Sequence, residues 1–306
     1  MADPTVPYHV PVLLQPVVEA AAGAGRVVDA TVGGGGHSEA LRAAGHQVLA
    51  IDRDPDAIAF ARSRLGDAGI RYLQAAYDAP EALDAVAEWR PGFILLDLGV
   101  SSHQLDATGR GFTFRPGAPL DMRMEGRGAS AAQLLNEADG DTLGRIFAEY
   151  GDERHARRLA REIVRRRERA LSAVSDDLVN AIRATLGPRA GPSEFARLFQ
   201  AVRIAVNDEL EGLGRALPAF RDSLEQGGAL GVITYHSGED RLVKLAFREW
   251  ASACVCPPRQ PVCTCRGRPL GRLEPRKPIL PSDEEIASNP RARSAKLRIF
   301  RVDHAA

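Results

Sequence analysis

The residues whose types and spacing could do chemistry are Asp29-Ala-Thr-Val-Gly33-Gly34-Gly35-Gly36-His37-Ser38 and two later acids, Asp52 and Asp97. Clustered glycines, lacking a Cβ, let the backbone turn tightly and come close to a ligand. A helix starting just behind them offers unpaired N–H groups. An acid about 20 residues further on, at the end of the next strand, is where nucleotide-binding sheets bond ribose hydroxyls. Asp52 stands there, and Asp97 closes the run Phe93-Ile-Leu-Leu-Asp97 at the same rim. Loop and acids converge on one nucleoside-bearing ligand. The spacing Gly33-x-Gly35-x-x-Ser38 nearly satisfies the dinucleotide pattern, but Asp29 precedes the glycines where a dinucleotide fold has a small or apolar residue. An acid at that point repels a pyrophosphate and suits an ammonium group. The residues favour S-adenosylmethionine over NAD.

The elements that must hold these groups alternate regularly. Arg26–Ala30, Val48–Asp52, Ile70–Gln74 and Phe93–Leu98 read as buried strands, and helical patterns over Ser38–Ala44, Asp56–Leu65 and Glu81–Trp89 separate them. That alternation predicts an α/β, Rossmann-like parallel sheet covered on both faces. It then breaks. Ser101–Gly128 is rich in Gly, Pro, Arg and Asp and reads as a functional loop. Ala129 to about Leu186 is helical without strands, and Glu194–Leu224 is helical again. Ala229–Thr234 resumes the sheet, the tail from Ala253 to Asn289 is irregular, and Lys296–Val302 alternates apolar and basic residues as a last strand with one covered face.

With 306 residues, 44% of them hydrophobic, the chain can bury a large core, and it has no apolar run long enough to span a bilayer. No membrane partner is expected. The first residues carry Asp3, no basic cluster and prolines at 4, 7 and 11, which argues against a secretory signal and for a cytoplasmic location. A net charge of zero hides an uneven distribution, with arginines concentrated from Arg154 to Arg169 and from Arg266 to Arg276. The four cysteines, Cys254, Cys256, Cys263 and Cys265, form a local cluster instead of a disulfide framework. Zinc commonly takes thiolates separated by two to four residues, and these pairs are closer. The four could chelate zinc through their thiolates, but free thiols in a loop, and no metal, are the favoured expectation. His37 and His236 adjoin the ligand loops but do not fit a metal site by spacing.

In order along nearly the whole chain, the sequence resembles the RsmH/MraW family of 16S rRNA cytosine-N4 methyltransferases. The resemblance rests on His9-Val-Pro-Val-Leu-Leu14, Asp29–Ser38, Ala50-Ile-Asp-Arg-Asp-Pro55, Leu96-Asp-Leu-Gly-Val-Ser-Ser102, Gln104-Leu-Asp106 and Arg110-Gly-Phe-Thr-Phe114. It continues in Leu120–Met124, Phe199–Ile204, Tyr235-His-Ser-Gly-Glu-Asp-Arg241 and Asn289–Ser294. It implies a class I methyltransferase sheet with an inserted all-α domain: core over 1–104, loop and helical insert over 105–205, core again over 206–306. It implies that Gly35, Gly36, His37, Asp52, Tyr77, Asp97 and Gln104 line the cofactor site. It also implies a cytidine substrate in 16S rRNA, at the decoding centre of the small ribosomal subunit. A homodimer is compatible with that reading. Three positions depart from the pattern: Gly34 where Arg is frequent, Tyr77 where Phe is, and Gly238 where Leu is. Gly238 is expected to loosen the loop after its strand.

Methyl transfer to an exocyclic amine needs alignment and an acceptor for the amine's proton. The Asp97–Ser102 turn and the His236–Asp240 turn follow predicted strands and would supply it, with Asp97, Ser101 and His236 as the catalytic candidates. Tyr235, Phe112 and Phe114 could stack a splayed base, although a lone aromatic more often packs in a core. The arginines of 154–169 could meet phosphate or simply pair with Glu153, Glu162 and Glu168, and Arg110, Arg115 and Arg123 in the polar loop are further candidates for phosphate. A non-catalytic RNA-binding assembly factor and a nicotinamide-dependent oxidoreductase are the competing readings. The intact acids count against the first and Asp29 against the second.

Overall fold

Val27, Val28, Val48–Ile51, Phe93–Leu96 and Ala229–Ile233 are almost wholly removed from water, so strands built from them must be covered on both faces. The computed structural model describes residues 11–100, 108–257, 260 and 262–303. The chain divides into two compact units, one of residues 1–99 and 210–306 and the other of residues 100–209.

In the first unit, helix α1 (Leu14–Ala20) precedes β1 (Arg26–Asp29), α2 (Gly36–Ala43), β2 (Gln47–Asp52), α3 (Pro55–Leu65), β3 (Ile70–Gln74), α4 (Pro80–Trp89) and β4 (Phe93–Asp97). The seven strands of the sheet run in the order β3-β2-β1-β4-β5-β7-β6, completed by β5 (Ala229–Thr234), β6 (Gly271–Leu273) and β7 (Lys296–Val302). Strands β1 to β5 pair in parallel, and β7 lies antiparallel between β5 and β6. Alternate residues feed opposite layers. Val28, Leu49, Ile51, Ile94, Leu96, Leu230 and Val232 meet Phe220, Phe247 and Trp250 on one face. Val27, Val48, Ala50, Phe93, Leu95 and Ile233 meet Val17, Leu41, Ala61 and Leu65 on the other.

The second unit contains α5 (Ala131–Glu137), α6 (Gly140–Glu149), α7 (Ala156–Arg167), α8 (Ser175–Leu186) and α9 (Pro192–Asn207). Among its described residues the only β pairing is the isolated bridge Pro119–Val174. Leu143, Phe147, Leu159, Ile163, Ile182 and Leu198 lie in its core. Its polar loop is pinned down by backbone bonding. Asn207 Nδ2 donates to the Met122 carbonyl at 2.8 Å while its Oδ1 accepts from the Met124 N–H at 2.9 Å. The stretch read as one helical region over 194–224 is two helices, α9 and α10 (Glu209–Ser223), because Asp208 takes a left-handed conformation with φ 54°.

Further differences from the sequence reading lie in the last part of the chain, where the tail read as irregular holds a helix over Asp283–Ser288. Strand β6 is only three residues long and has no alternation to reveal it; it exists as an edge partner of β7. Strand β7 is covered on both faces, with Leu297 and Ile299 in one layer and Phe300 and Val302 in the other. The basic residue that suggested a wet face, Arg298, is buried and donates Nε–H to Asp240 Oδ1 at 2.8 Å. Gly238 does not loosen a loop, since it lies in the first turn of α11 (Ser237–Trp250). A Cβ there would stand 3.1 Å from the His236 ring, so glycine leaves room for that ring.

Breaking a buried ion pair by removing one partner costs about 3–5 kcal/mol, because the other charge is stranded. We expect Asp240→Ala to lower the free energy of unfolding by that order and Asp240→Ala/Arg298→Met to recover much of it. Urea denaturation of both variants checks this, and an equal loss in the two would refute the pairing.

Candidate active site

From β1 the chain winds outward through β2 and β3 and returns to β4 on the other side of β1, so the strand order reverses between β1 and β4. In open parallel sheets a crevice forms at such a reversal, beyond the carboxyl ends of the strands. Asp29 ends β1, Asp97 ends β4 and Asp52 ends β2. Geometry thus brings together the three acids that the sequence singled out.

The glycine segment is tied to this rim by main-chain bonds. The Val32 N–H donates to the Ile51 carbonyl at 2.9 Å, and the Gly35 N–H donates to the Val32 carbonyl at 2.7 Å, closing a turn. The Gly33 N–H donates to Asp52 Oδ2 at 2.8 Å, and the Asp54 N–H donates to Asp52 Oδ1 at 2.9 Å. Asp54 then caps α3, with Pro55 in its first turn, which accounts for the Asp-Arg-Asp-Pro run. Gly35 caps α2 with φ 77°, and a Cβ on it would sit 2.9 Å from Leu65 Cδ1. Both the left-handed backbone and the lack of room require glycine there.

Buried charges dominate the electrostatics. Burial pushes the Asp52 carboxyl up to about 6, although the Asp54 and Gly33 N–H groups pull against it. Burial likewise pushes Asp97 up to about 6, against the pull of His37 and the Tyr235 hydroxyl. Asp29 is also raised by burial, against His37 and the Ser38 hydroxyl, which donates to it at 2.7 Å. Three carboxyls short of positive charge suit a ligand that carries its own.

His37 stands between the Val12 carbonyl and the Asp97 carboxyl. The Val12 carbonyl, 3.0 Å from His37 Nε2, can only accept, so Nε2 carries a hydrogen. Nδ1 lies 3.6 Å from Asp97 Oδ2. The Tyr235 hydroxyl donates to Asp97 Oδ1 at 2.8 Å, and the Asp97 N–H donates to Thr31 Oγ1 at 2.7 Å. Burial and Asp97 hold the Tyr235 phenol well above its ordinary pKa, so it stays a donor.

Other candidates fall elsewhere. Gly36 opens α2, where a Cβ would stand 3.1 Å from Pro11, and Tyr77 lies half-buried between β3 and α4. Ser101 and Gln104 lie outside the described residues. His236 caps α11, its Nδ1 accepting from the Gly238 N–H at 3.2 Å and the Glu239 N–H at 3.4 Å. Its Nε2 lies 3.0 Å from Glu239 Oε1 without making a hydrogen bond to it. Phe114 packs edge-on against Phe195 and Phe199 inside the helical unit, and Phe112 packs against the same core. Tyr235 is used through its hydroxyl, a role that its aromatic ring did not signal. Of the three loop arginines singled out, Arg110 bonds the Met124 carbonyl and Arg123 pairs with Asp121, while Arg115 is exposed.

The parallel sheet with its antiparallel β7, the strand order and the acid-lined reversal define the class I methyltransferase type of α/β protein. Comparison with known proteins narrows this. Residues 7–303 match the MraW methylase family, and the chain belongs to that family. It is 58% identical over 300 residues to the ribosomal RNA small subunit methyltransferase H of Gemmatimonas aurantiaca, covering 96% of this chain and 95% of that protein. It is 46% identical over 304 residues to the protein of the same name from Heliobacterium modesticaldum, covering 95% and 97%.

A carboxyl whose pKa is raised by folding contributes stability fully below its ordinary value of 3.8 and loses it as pH rises through about 6. An ionised Asp97 therefore costs the fold up to roughly 3 kcal/mol at pH 8. An asparagine in its place would still accept from Tyr235 and could donate to His37 Nδ1. We expect Asp97→Asn, without ligand, to melt a few degrees above the parent at pH 8, with the gap closing by pH 4.5. Scanning calorimetry at the two pH values decides it; a variant that melts lower at pH 8 would disprove the burial argument.

Proposed function

We propose that this chain transfers a methyl group from S-adenosylmethionine to the N4 amine of a cytidine in 16S rRNA, at the decoding centre of the small ribosomal subunit. The observation that carries the reading is the convergence of Asp29, Asp52 and Asp97 on the strand-order reversal beside the Gly33–Gly36 turn. Membership of the MraW methylase family and the relatives' names support the rRNA substrate. The residues present fit the cofactor: buried acids lacking compensating cations match a sulfonium and an ammonium, and they would disfavour a pyrophosphate. Asp52 keeps lone pairs for ribose hydroxyls beyond those taken by the Gly33 and Asp54 N–H groups, and Gly35 and Gly36 let the turn pack closely against Leu65 and Pro11. In the family pattern Tyr77 and Gln104 complete the cradle. S-adenosylmethionine, when bound, supplies an already activated methyl group.

The chain's own residues then have two tasks, alignment and proton handling. The N4 lone pair of cytosine is delocalised into the ring, so an acceptor that bonds the amine hydrogens helps it pyramidalise. Asp97 is the acceptor at the rim whose pKa, about 6, is tuned toward neutrality. Tyr235 fixes its orientation by donating to Oδ1, and the His37 ring stands beside Oδ2. Ser101 would act alongside Asp97 in the following turn. His236 is a positioning residue, because its side chain organises the first turn of α11.

For RNA we assign a role to α7 in the helical insert. Its Leu159, Ala160 and Ile163 are buried, while Arg157, Arg158 and Arg161 are exposed and make no ion pair among the described residues. Glu162 is taken by Arg165 and Arg166, and Glu153 by Arg197. Phosphate contacts of this kind give affinity and register without reading sequence.

Two experiments test these assignments. Labelled methyl transfer to undermethylated small subunits, followed by nucleoside analysis, should yield N4-methylcytidine, and Asp97→Ala should abolish it. Cofactor binding without label in any RNA would overturn the reading, as would near-normal turnover in Asp97→Ala. Replacing Arg157, Arg158 and Arg161 by Gln should weaken subunit binding and lower the slope of log affinity against log salt by about 1 for each lost phosphate contact. An unchanged slope would remove α7 from the interface.

A further inference from the structure

We propose that Cys254, Cys256, Cys263 and Cys265 form a structural site for a thiophilic divalent cation, zinc, held by four thiolates in the segment between α11 and β6. The four sulfurs, two from each Cys-x-Cys pair, converge on one point and all lie within 4.8 Å of one another. Cys263 Sγ is 3.9 Å from Cys254 Sγ, 3.8 Å from Cys256 Sγ and 3.4 Å from Cys265 Sγ. A tetrahedral zinc with bonds of about 2.3 Å needs sulfurs about 3.8 Å apart. A disulfide needs about 2 Å, and none of these separations approaches it. The sulfurs are thus spaced for an ion at their centre.

The surroundings ask for such an ion. None of the described residues of 253–269 is buried, and Val255 and Val262 are 40% and 69% exposed. The sulfurs face one another although Cys254 and Cys263 are exposed, and among the described residues no apolar core holds the stretch. Short segments without a core are fixed by metals or cross-links. The Val255 N–H donates to Cys265 Sγ at 3.3 Å, joining the two pairs by the kind of bond that favours a thiolate. Arg266, next to the last cysteine, donates to the Ser252 carbonyl at 3.2 Å and to the Glu249 carbonyl, anchoring the cluster to the end of α11. On binding, each thiol releases one proton to solvent. Four thiolates around a divalent ion leave two negative charges, and Arg266 and Arg268 stand beside them. Spacing alone argued for free thiols, since each pair is separated by a single residue. The folded chain compensates by bringing the two pairs face to face.

The test is metal analysis of the full chain purified without added metal. About one zinc per chain is expected by plasma mass spectrometry, falling several-fold in Cys263→Ser and in Cys254→Ser. Exchange of the parent protein into cobalt should give the sulfur-to-metal charge-transfer and intense d–d bands of a tetrahedral tetrathiolate, a readout that needs no variant. A folded parent chain with four reagent-accessible thiols, no bound metal and no cobalt bands would overturn the proposal. Peptide mapping that finds the cysteines paired as disulfides in the isolated protein would overturn it equally.

Discussion

Burying a carboxyl group is unfavourable unless something compensates it, and this fold buries Asp29 and half-buries Asp52 and Asp97 at the ends of neighbouring parallel strands. Main-chain donors serve Asp52, the Ser38 hydroxyl serves Asp29, and Tyr235 with His37 serves Asp97. None of these partners is an arginine or a lysine. A guanidinium at that rim would neutralise the acids and make them more stable, but it would also occupy the place a cationic ligand must take. The rim is therefore left under-compensated, in the way that functional sites often trade stability for readiness to bind.

The remaining architecture keeps that rim rigid. Strands covered on both faces cannot slide, because a one-residue slip would exchange the two layers of side chains. Gly35 fixes where α2 begins, Asp54 and Pro55 fix where α3 begins, and His236 with Glu239 fixes α11. Each of these helices starts immediately beyond a carboxyl end of the sheet. Well-defined starts for the helices translate into well-defined positions for the groups between strand and helix.

Much of this was legible in the sequence because it depends on local patterns. Apolar runs ending in an acid marked β1, β2 and β4, and their alternation with helical stripes marked a parallel sheet. Asp29, Asp52 and Asp97 could be picked out because each stands at a strand end next to a turn. What was not legible depends on contacts between distant segments. Nothing in Lys296–Val302 shows that Arg298 will be buried against Asp240, 58 residues away. Tyr235 offered either a stacking face or core packing, and only the sheet places its hydroxyl on Asp97. Phe114 follows the commoner of its two readings and packs against the core of the helical unit. The cysteine pairs failed the spacing test for a metal because spacing along the chain is not separation in space.

Strands β4 and β5 are hydrogen-bonded neighbours, although residues 100–209 intervene between the stretches that contain them. Loop-closure entropy rises only with the logarithm of loop length, about 0.6 kcal/mol for each doubling. A whole helical unit can thus stand between two adjacent strands for about 3 kcal/mol more than a short connection would cost. The burden falls on speed, since pairings this distant in sequence form slowly. Of the sheet's pairings, β4 with β5 spans the most chain, so the two halves of the sheet meet at the contact that asks most of it.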